Sequence, residues 1–184
     1  MQVHVRFQPL LTERLVLRRS VPEDAEVISA YRSDPEVHRY QGWQRTDPES
    51  VRAEIEKMAR RAPGEPGWVQ LSVVLRETGE LIGDVGLCAV EGEPGVVKVG
   101  YTIAPAHQGR GYGTEAMRAL VGYAFDVLGA EVIRAYADAE NVASQRVAEK
   151  VGMRLVERFR AVDDGEEWWG VRYEIRRGER PPSG

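Results

Sequence analysis

The sequence predicts one mixed α+β domain built from about seven strands and about four helices. Two observations support this fold class. The chain has 184 residues, of which 42% are hydrophobic and 29% charged, a composition typical of a globular domain with its own core. Its apolar residues also switch between the alternation of strands and the 3.6-residue spacing of helices. We place the domain at residues 1–175 and expect the polar segment 176–184 to be a flexible tail.

The first half of the chain predicts one strand, two helices and a meander. Arg14 to Arg18 alternates polar and apolar residues, as a half-buried strand does. Ser20 to Glu23 and Thr46 to Glu49 have the spacing of capping boxes and predict the starts of two helices. Turn residues then separate three predicted antiparallel strands, which are Trp68 to Arg76, Leu81 to Val90 and Val96 to Ile103.

The second half predicts two helices and three strands. The longest predicted helix has apolar residues at the i, i+3, i+4, i+7 spacing, and Gly129 stands where a C-terminal cap glycine belongs. Its apolar residues are Met117, Leu120, Val121, Ala124, Phe125 and Leu128. A strand at Glu131 to Ala137, a helix at Asn141 to Val151 and two strands around a turn at Asp163 to Gly165 complete the fold.

Charge and cysteine content exclude several classes of protein. There are 25 Lys and Arg against 29 Asp and Glu, a net charge of −4, which gives no reason to expect nucleic-acid binding. A single cysteine, Cys88, excludes an intramolecular disulfide framework and a multi-cysteine zinc site. No apolar run approaches the roughly 18 residues of a membrane span, and no signal peptide is evident. We therefore expect a cytoplasmic protein without a metal.

The segment Gln108 to Glu115, QGRGYGTE, carries the strongest functional signal. Its glycines, Gly109, Gly111 and Gly113, allow a tight turn with inward amides just before the longest predicted helix, whose N-terminus adds unpaired N–H donors. Such a loop suits a diphosphate. The spacing GxGxG matches neither the dinucleotide fingerprint nor a P-loop. A glycine-rich turn that binds nothing is the alternative interpretation.

At these residues the chain resembles the GNAT acetyltransferase superfamily, whose acyl-CoA loop has the pattern matched by Gln108, Gly111 and Gly113. The flanking segments VGYTIAPAHQGRGYGTEAMRAL and DAENVASQRVAEKVGM, together with LLTERLVLRR, resemble the RimJ/RimL ribosomal-protein N-terminal acetyltransferases. The resemblance implies a mostly antiparallel sheet that splays between its fourth and fifth strands, with acetyl-CoA held in the gap.

The resemblance also implies the cofactor-binding residues. They are Tyr101, Thr102, Ile103, Gln108, Gly109, Arg110, Gly111, Tyr112, Gly113, Thr114 and Asn141. Judged by the residues alone, Gly100 predicts a bulge that frees the backbone of Tyr101 to Ile103 for an extended ligand, with a packing glycine as the alternative. Asn141 by itself indicates a helix N-cap. Arg146 and Lys150 are candidates for the nucleotide end of the cofactor.

Transfer of an acetyl group to an amine needs an oxyanion donor and a general acid, and no covalent enzyme intermediate. We expect a strand amide near Ile103 or Ala104 to be the donor. Ser144 is the catalytic candidate for the acid, because RimL-like enzymes place a serine there to protonate the leaving thiolate. Cys88 lies in an apolar strand and indicates a structural thiol.

The general base is the point where the chain departs from its relatives. Lys98 stands where many RimL-like chains have glutamate, and a charged lysine cannot take over that role. Asp84, Asp138 and an ordered water are the alternatives. A weak base favours α-amines, since at pH 7.5 an α-amine is about a quarter to a third neutral and a lysine amine only about one part in a thousand.

The sequence therefore predicts an N-acetyltransferase that uses acetyl-CoA and acts on a protein or peptide α-amine. Tyr40 and Trp43 are candidate acceptor contacts, because in GNAT proteins that region borders the acceptor pocket. Small polyamines or aminoglycosides are alternative acceptors, and a non-catalytic acyl-CoA-binding sensor is the alternative of another class. Family members are often dimers, so the resemblance also admits a homodimer, although no interface is evident in the sequence.

Overall fold

The computed structural model describes residues 7–163 and 165–180, with only the backbone of Asp163. Its strands are β1 (Leu10–Leu11), β2 (Leu15–Arg19), β3 (Gly67–Leu75), β4 (Leu81–Ala89), β5 (Val96–Ile103), β6 (Val132–Asp138), β7 (Arg154–Asp163) and β8 (Glu166–Arg176). Its α-helices are α1 (Ala25–Arg32), α2 (Pro35–His38), α3 (Pro48–Ala59), α4 (Tyr112–Asp126) and α5 (Val142–Lys150). Asp164, in the predicted hairpin turn, and residues 181–184 of the predicted tail lie outside the described residues.

The strands form one sheet in the order β1-β2-β3-β4-β5-β6-β8-β7. Neighbouring strands are antiparallel throughout this order, except that β5 and β6 run parallel. A parallel pair needs a long crossover, and α4 provides it. The predicted α+β class and mostly antiparallel sheet are confirmed, with β1 and the four-residue α2 added to the predicted elements.

Alternation along the strands gives the sheet two different faces. The face that we call the α4 face carries apolar residues such as Val97, Val99 and Ile133, which are buried in the main core with Leu120 and Phe125 of α4. This burial fixes the register, because a slip of one residue would turn these side chains toward the opposite face.

The opposite face, which we call the α1 face, is covered by α1 and α3 near β2 to β4. A second apolar cluster holds these two helices together, with Ile28 and Tyr31 from α1 and Val51 and Ile55 from α3. No α-helix of the described residues packs in this way over β5 to β8, and Tyr136 on β6 is 44% exposed. The second half of this face is therefore accessible.

At both predicted capping boxes, the N-cap is one residue later than the sequence predicts. Ser20 Oγ lies 2.8 Å from Ser72 Oγ in the interior, and the Val21 amide instead donates to Asp24 over 3.0 Å. At α3 the cap is Asp47, which accepts from the Ser50 amide over 3.0 Å. Pro48 is the first residue of this helix, which makes the residue directly before it the cap.

The chain remains structured beyond the predicted domain boundary at residue 175. Arg176 ends β8, and Arg177–Glu179 forms a 3-10 turn. Arg177 Nη2 donates to the carbonyls of Phe125 and Ala130 at 2.8 and 2.7 Å. Among the described residues, no helix is both long and apolar enough to cross a membrane.

Candidate active site

The central feature of the site is a gap between β5 and β6. These strands pair only from Val96 to Val99 on one side and Val132 to Ala135 on the other, and then diverge. The Ala104 amide donates to the Ile82 carbonyl over 2.8 Å. Because backbone groups of successive strand residues point to opposite sides, Tyr101 and Ile103 direct their N–H and C=O groups into the gap.

Two predictions about this edge need correction. The pairing of β4 with β5 is unbroken from Ala89 and Val97 to Gly83 and Ile103, so Gly100 makes no bulge. The free edge comes from the divergence of β6 instead. Ala104 is no oxyanion donor, because its amide already donates to β4, and the Ile103 amide is the one that faces the gap.

The glycine loop follows β5 directly. Gly109 and Gly111 have φ of 75° and 82°, left-handed conformations that favour glycine. The first intrahelical bond of α4 runs from the Glu115 amide to the Gly111 carbonyl over 3.0 Å. Within the described residues, the amides of Tyr112, Gly113 and Thr114 have no hydrogen-bond acceptor. The helix N-terminus thus presents donors and a positive dipole to an anion.

A brace that the sequence did not reveal holds this loop. Glu115 accepts hydrogen bonds from Thr12 Oγ1, the Arg14 amide and Arg14 Nε at 2.7, 2.8 and 2.7 Å. Arg14 Nη1 donates to the Arg110 carbonyl over 3.0 Å, and its guanidinium lies 4.4 Å from the Tyr112 ring centre. Burial raises the pKa of the Glu115 carboxyl, but these hydrogen bonds outweigh burial and hold the pKa below its usual value.

Two adjoining cavities meet at the gap. A cavity of about 500 Å³ follows the end of β5, the glycine loop and α5, and a smaller one of about 90 Å³ lies where β5 and β6 diverge. Tyr40, Tyr101, Asn141 and Ser144 line both. The larger cavity is also lined by Thr102, Ile103, Gln108, Gly109, Gly111, Tyr112, Gly113, Thr114, Arg146 and Lys150. Of the predicted cofactor-binding residues, only Arg110 lines neither cavity.

Ser144 stands in the first turn of α5, at the junction of the cavities. Asn141 is the N-cap of this helix, and its Oδ1 accepts from the Ser144 amide over 3.1 Å. Burial raises the pKa of the Tyr101 hydroxyl, and a hydrogen bond with Ser144 lowers it in part. Gln108 Nε2 donates to the Ile103 carbonyl over 2.9 Å and so ties the loop to the strand edge.

The candidate bases are not brought into the site. Asp84 is buried beneath α1, hydrogen-bonded to Tyr31 and 3.5 Å from Arg32, and burial raises its pKa. Asp138 accepts from the Glu140 amide over 2.7 Å. Neither lines a cavity. Lys98 lies on the α1 face, with Nζ 5.6 Å from the centre of the Tyr136 ring.

The remaining candidates lie at the margins of the site. Trp43 lines neither cavity, and its ring stacks on Arg32 at 4.5 Å. His107 lines the larger cavity, and its Nε2 is hydrogen-bonded to Glu80 Oε1 at 3.0 Å. Cys88 is a half-buried residue of β4. In the described part of the chain, no three His, Cys, Asp or Glu side chains form a group that could hold a metal ion.

Comparisons with known proteins agree with this geometry. A family model for the acetyltransferase (GNAT) domain matches residues 14–154. The chain is 34% identical over 150 residues to the uncharacterized N-acetyltransferase YoaA of Bacillus subtilis, covering 80% of this chain and 84% of that protein. A GNAT-family acetyltransferase structure from Bacillus anthracis superposes with a TM-score of 0.83 and 27% identity, covering 94% of this chain and all of that one.

Two more distant structures share the fold. RimJ of Mycobacterium smegmatis, in complex with a CoA disulfide, has a TM-score of 0.81 at 20% identity, covering 96% of this chain and 93% of that one. RimL, a ribosomal L7/L12 α-N-protein acetyltransferase in complex with coenzyme A, has a TM-score of 0.80 at 16% identity, covering 92% and 98%. With a matching family model over most of its length, the chain belongs to the GNAT acetyltransferases, N-acetyltransferases that use acetyl-CoA.

Proposed function

We propose that the enzyme transfers the acetyl group of acetyl-CoA directly to the α-amine of a protein or peptide. The observation that carries this proposal is the open edge of β5, which ends at the unpaired N-terminal amides of α4. An extended ligand with a diphosphate at one end needs these two features side by side. The names of the RimL and RimJ neighbours support a protein acceptor.

The residues present fit the co-substrate. The amides at Tyr112 to Thr114 suit the pyrophosphate, and the backbone of Tyr101 and Ile103 suits the amide groups of pantetheine. Arg146 and Lys150 on α5 add positive charge to the same cavity. When bound there, acetyl-CoA supplies an activated thioester.

The chain's own groups supply the rest of the chemistry. The Tyr101 N–H also faces the gap, and Tyr101 lines both cavities whereas Ile103 lines only the larger one, so the Tyr101 N–H can stabilise negative charge on an acyl oxygen beside Ser144. The Ser144 hydroxyl is the proton donor for the departing thiolate, and Asn141 fixes the helix turn that carries it. Among the described residues, no carboxylate lines the smaller cavity, and Glu36 lines only the larger one, so we assign deprotonation of the amine to solvent.

Because the described part of the chain places no carboxylate in the lining of this cavity, the site favours an acceptor amine that is already partly neutral. At pH 7.5 an α-amine with a pKa of about 7.7 to 8 is about a quarter to a third neutral, whereas a lysine side chain is almost fully protonated. The amines of a polyamine, like that of lysine, are almost fully protonated at this pH. The site therefore suits a peptide N-terminus better than a small polycation.

Thiol release from acetyl-CoA with a panel of acceptors tests the proposal. Peptides with free N-termini should support release, and the same peptides with blocked N-termini should not, even when they contain lysine. Spermidine and an aminoglycoside serve as the rival acceptors. Turnover with these amines and none with peptides would overturn the proposal.

Two expectations from the sequence stay predictions. Light scattering on the purified protein tests the homodimer, and cell fractionation tests the cytoplasmic location.

A further inference from the structure

Lys98 forms no ion pair with the carboxylates of the described residues on its face of the sheet. No carboxylate oxygen of the described residues lies within 4 Å of Nζ, which instead lies over the Tyr136 ring. Arg134, which lies beside Lys98 on the next strand, is paired instead. Arg134 pairs with Glu93 and Glu174 at 2.9 and 3.1 Å.

A trough runs beside Lys98 toward the gap. Gly86 and Gly100 are directly opposed on β4 and β5 and form its floor on the α1 face. The Trp68 ring lies over Gly86, 3.1 Å from where a Cβ would stand, whereas the space above Gly100 is open, with no atom within 4 Å of such a position. Gly100 and Tyr136 also line the smaller cavity, so the trough leads to the reaction site.

An aromatic row forms the far wall of the trough. Tyr136, Phe159 and Trp168 stack edge to face, with ring centres 6.2 and 5.9 Å apart. Tyr136 is 44% exposed, Trp168 37%, and Trp68 on the near wall 42%. Exposed aromatic side chains grouped beside a cavity are typical of a ligand-binding surface.

We propose that this trough receives the first residues of a peptide whose first or second side chain carries a carboxylate, and that Lys98 binds that carboxylate. This inference rests on the proposed peptide acceptor and names its class. Lys98 is a specificity-determining residue here, and the aromatic row packs against the peptide. A cationic N-terminal segment is disfavoured by the same charge.

The length of the trough favours a side-chain carboxylate. The α-carbons of Lys98 and Gly100 are about 7 Å apart along the strand, since each strand residue rises about 3.3 Å, and Lys98 Nζ extends over the Tyr136 ring. With the acceptor amine in the gap and its carboxylate at Nζ, several bonds separate the two groups. The α-carboxylate of a free amino acid is only two bonds from the nitrogen, whereas an aspartate or glutamate at the first or second position spans the distance.

Paired peptides that differ only by Asp or Asn at the first or second position test this inference. We expect the wild-type enzyme to prefer the acidic member of at least one pair about tenfold in kcat/KM, or about 1.4 kcal/mol, mainly through KM. Lys98→Met should abolish the preference and Lys98→Glu should reverse it. Lys57→Met removes a lysine from the exposed surface of α3 and should keep the wild-type ratio.

Comparing the same peptides across enzyme variants cancels differences in the pKa of the peptide amine. Calorimetric binding of the N-acetylated peptides gives a readout without turnover and should follow the same order, while the Kd for CoA stays at its wild-type value in Lys98→Met. Melting temperatures confirm that each variant is folded.

The outcomes separate the two proposals. If the wild-type enzyme acetylates peptides with equal efficiency in every pair, or if the preference survives Lys98→Met, the inference is wrong and the peptide acceptor stands. If only small amines are acetylated, the proposed acceptor fails and the inference fails with it.

Discussion

Replacing Glu115 with glutamine should destabilise the protein and weaken coenzyme A binding through the same set of contacts. The carboxylate accepts three hydrogen bonds, one from Thr12 and two from Arg14. Hydrogen bonds to a charged group contribute about 1.5 to 3 kcal/mol when shielded, but the Arg14 side chain is 42% exposed, which reduces its share. We expect a loss of about 1 to 2 kcal/mol, or about 2 to 8 °C in Tm.

The pH dependence of this loss of stability identifies the Glu115 carboxylate as its source. The hydrogen bonds hold the pKa of Glu115 below its usual value of 4.5 in the folded state. Their contribution to stability is therefore complete above the unfolded pKa and is lost as the pH falls through the lower, folded value. The stability gap between wild type and Glu115→Gln should be constant from pH 7 to about 5.5 and should close below about 4.5.

Thermal unfolding at several pH values measures this gap, and calorimetry with CoA measures affinity, which we expect to fall severalfold because Arg14 no longer holds the Arg110 carbonyl. Glu77→Gln is the matched control, since Glu77 is exposed and has no ion-pair partner in the described chain. A stability gap of the same size for Glu77→Gln, or a Glu115→Gln gap that does not narrow as the pH is lowered below about 4.5, would refute the reasoning.

Three further predictions concern the site. Ser144→Ala should reduce kcat about 10²- to 10⁴-fold with the Kd for CoA unchanged, and thiol release at wild-type rate would remove Ser144 from the mechanism. Gly111→Val should abolish CoA binding in calorimetry, because φ is 82° there and a Cβ would stand 3.3 Å from Arg14 Nη2; retained binding contradicts the loop assignment. Asp84→Ala should cost about 1 to 3 kcal/mol in urea unfolding because Tyr31 loses its acceptor and Arg32 loses one of its two carboxylate partners, Asp84 and Glu54, while Asp84→Asn should keep the pH profile of kcat/KM; a lost acidic limb would instead make Asp84 the base.

The elements with strong periodicity could be predicted from sequence, and those fixed by distant contacts could not. The strands with alternating patterns and the long helix at α4 follow from local spacing. The four-residue α2 has too few turns to show a period. Thr46 and Asp47 are both good cap residues, and only the position of Pro48 as the first helical residue decides between them.

The residues of the site also divide into those that local sequence predicts and those that depend on distant contacts. The glycine loop could be predicted because its function depends on backbone conformation, which the residue type reports. The brace on that loop could not, because Thr12 and Glu115 are about a hundred positions apart in the chain and neither has an unusual local pattern. The error at Gly100 has a related cause. A glycine in a strand indicates either a break in strand pairing or a site where a side chain would obstruct a neighbouring group. Only the structure shows that the open space at Gly100 lies above the sheet.

The position of the site follows from the one parallel pair among the described strands. Because β5 and β6 run in the same direction, the chain must cross over between them, and α4 begins where β5 ends. The positive end of the helix dipole therefore lies at the carboxyl end of β5, where the two strands diverge and backbone donors stay unpaired. In an all-antiparallel meander a hairpin turn would close this edge. A single change of strand direction thus brings an anion site, an open strand edge and access from both faces of the sheet to one point, as at the switch points of parallel sheets.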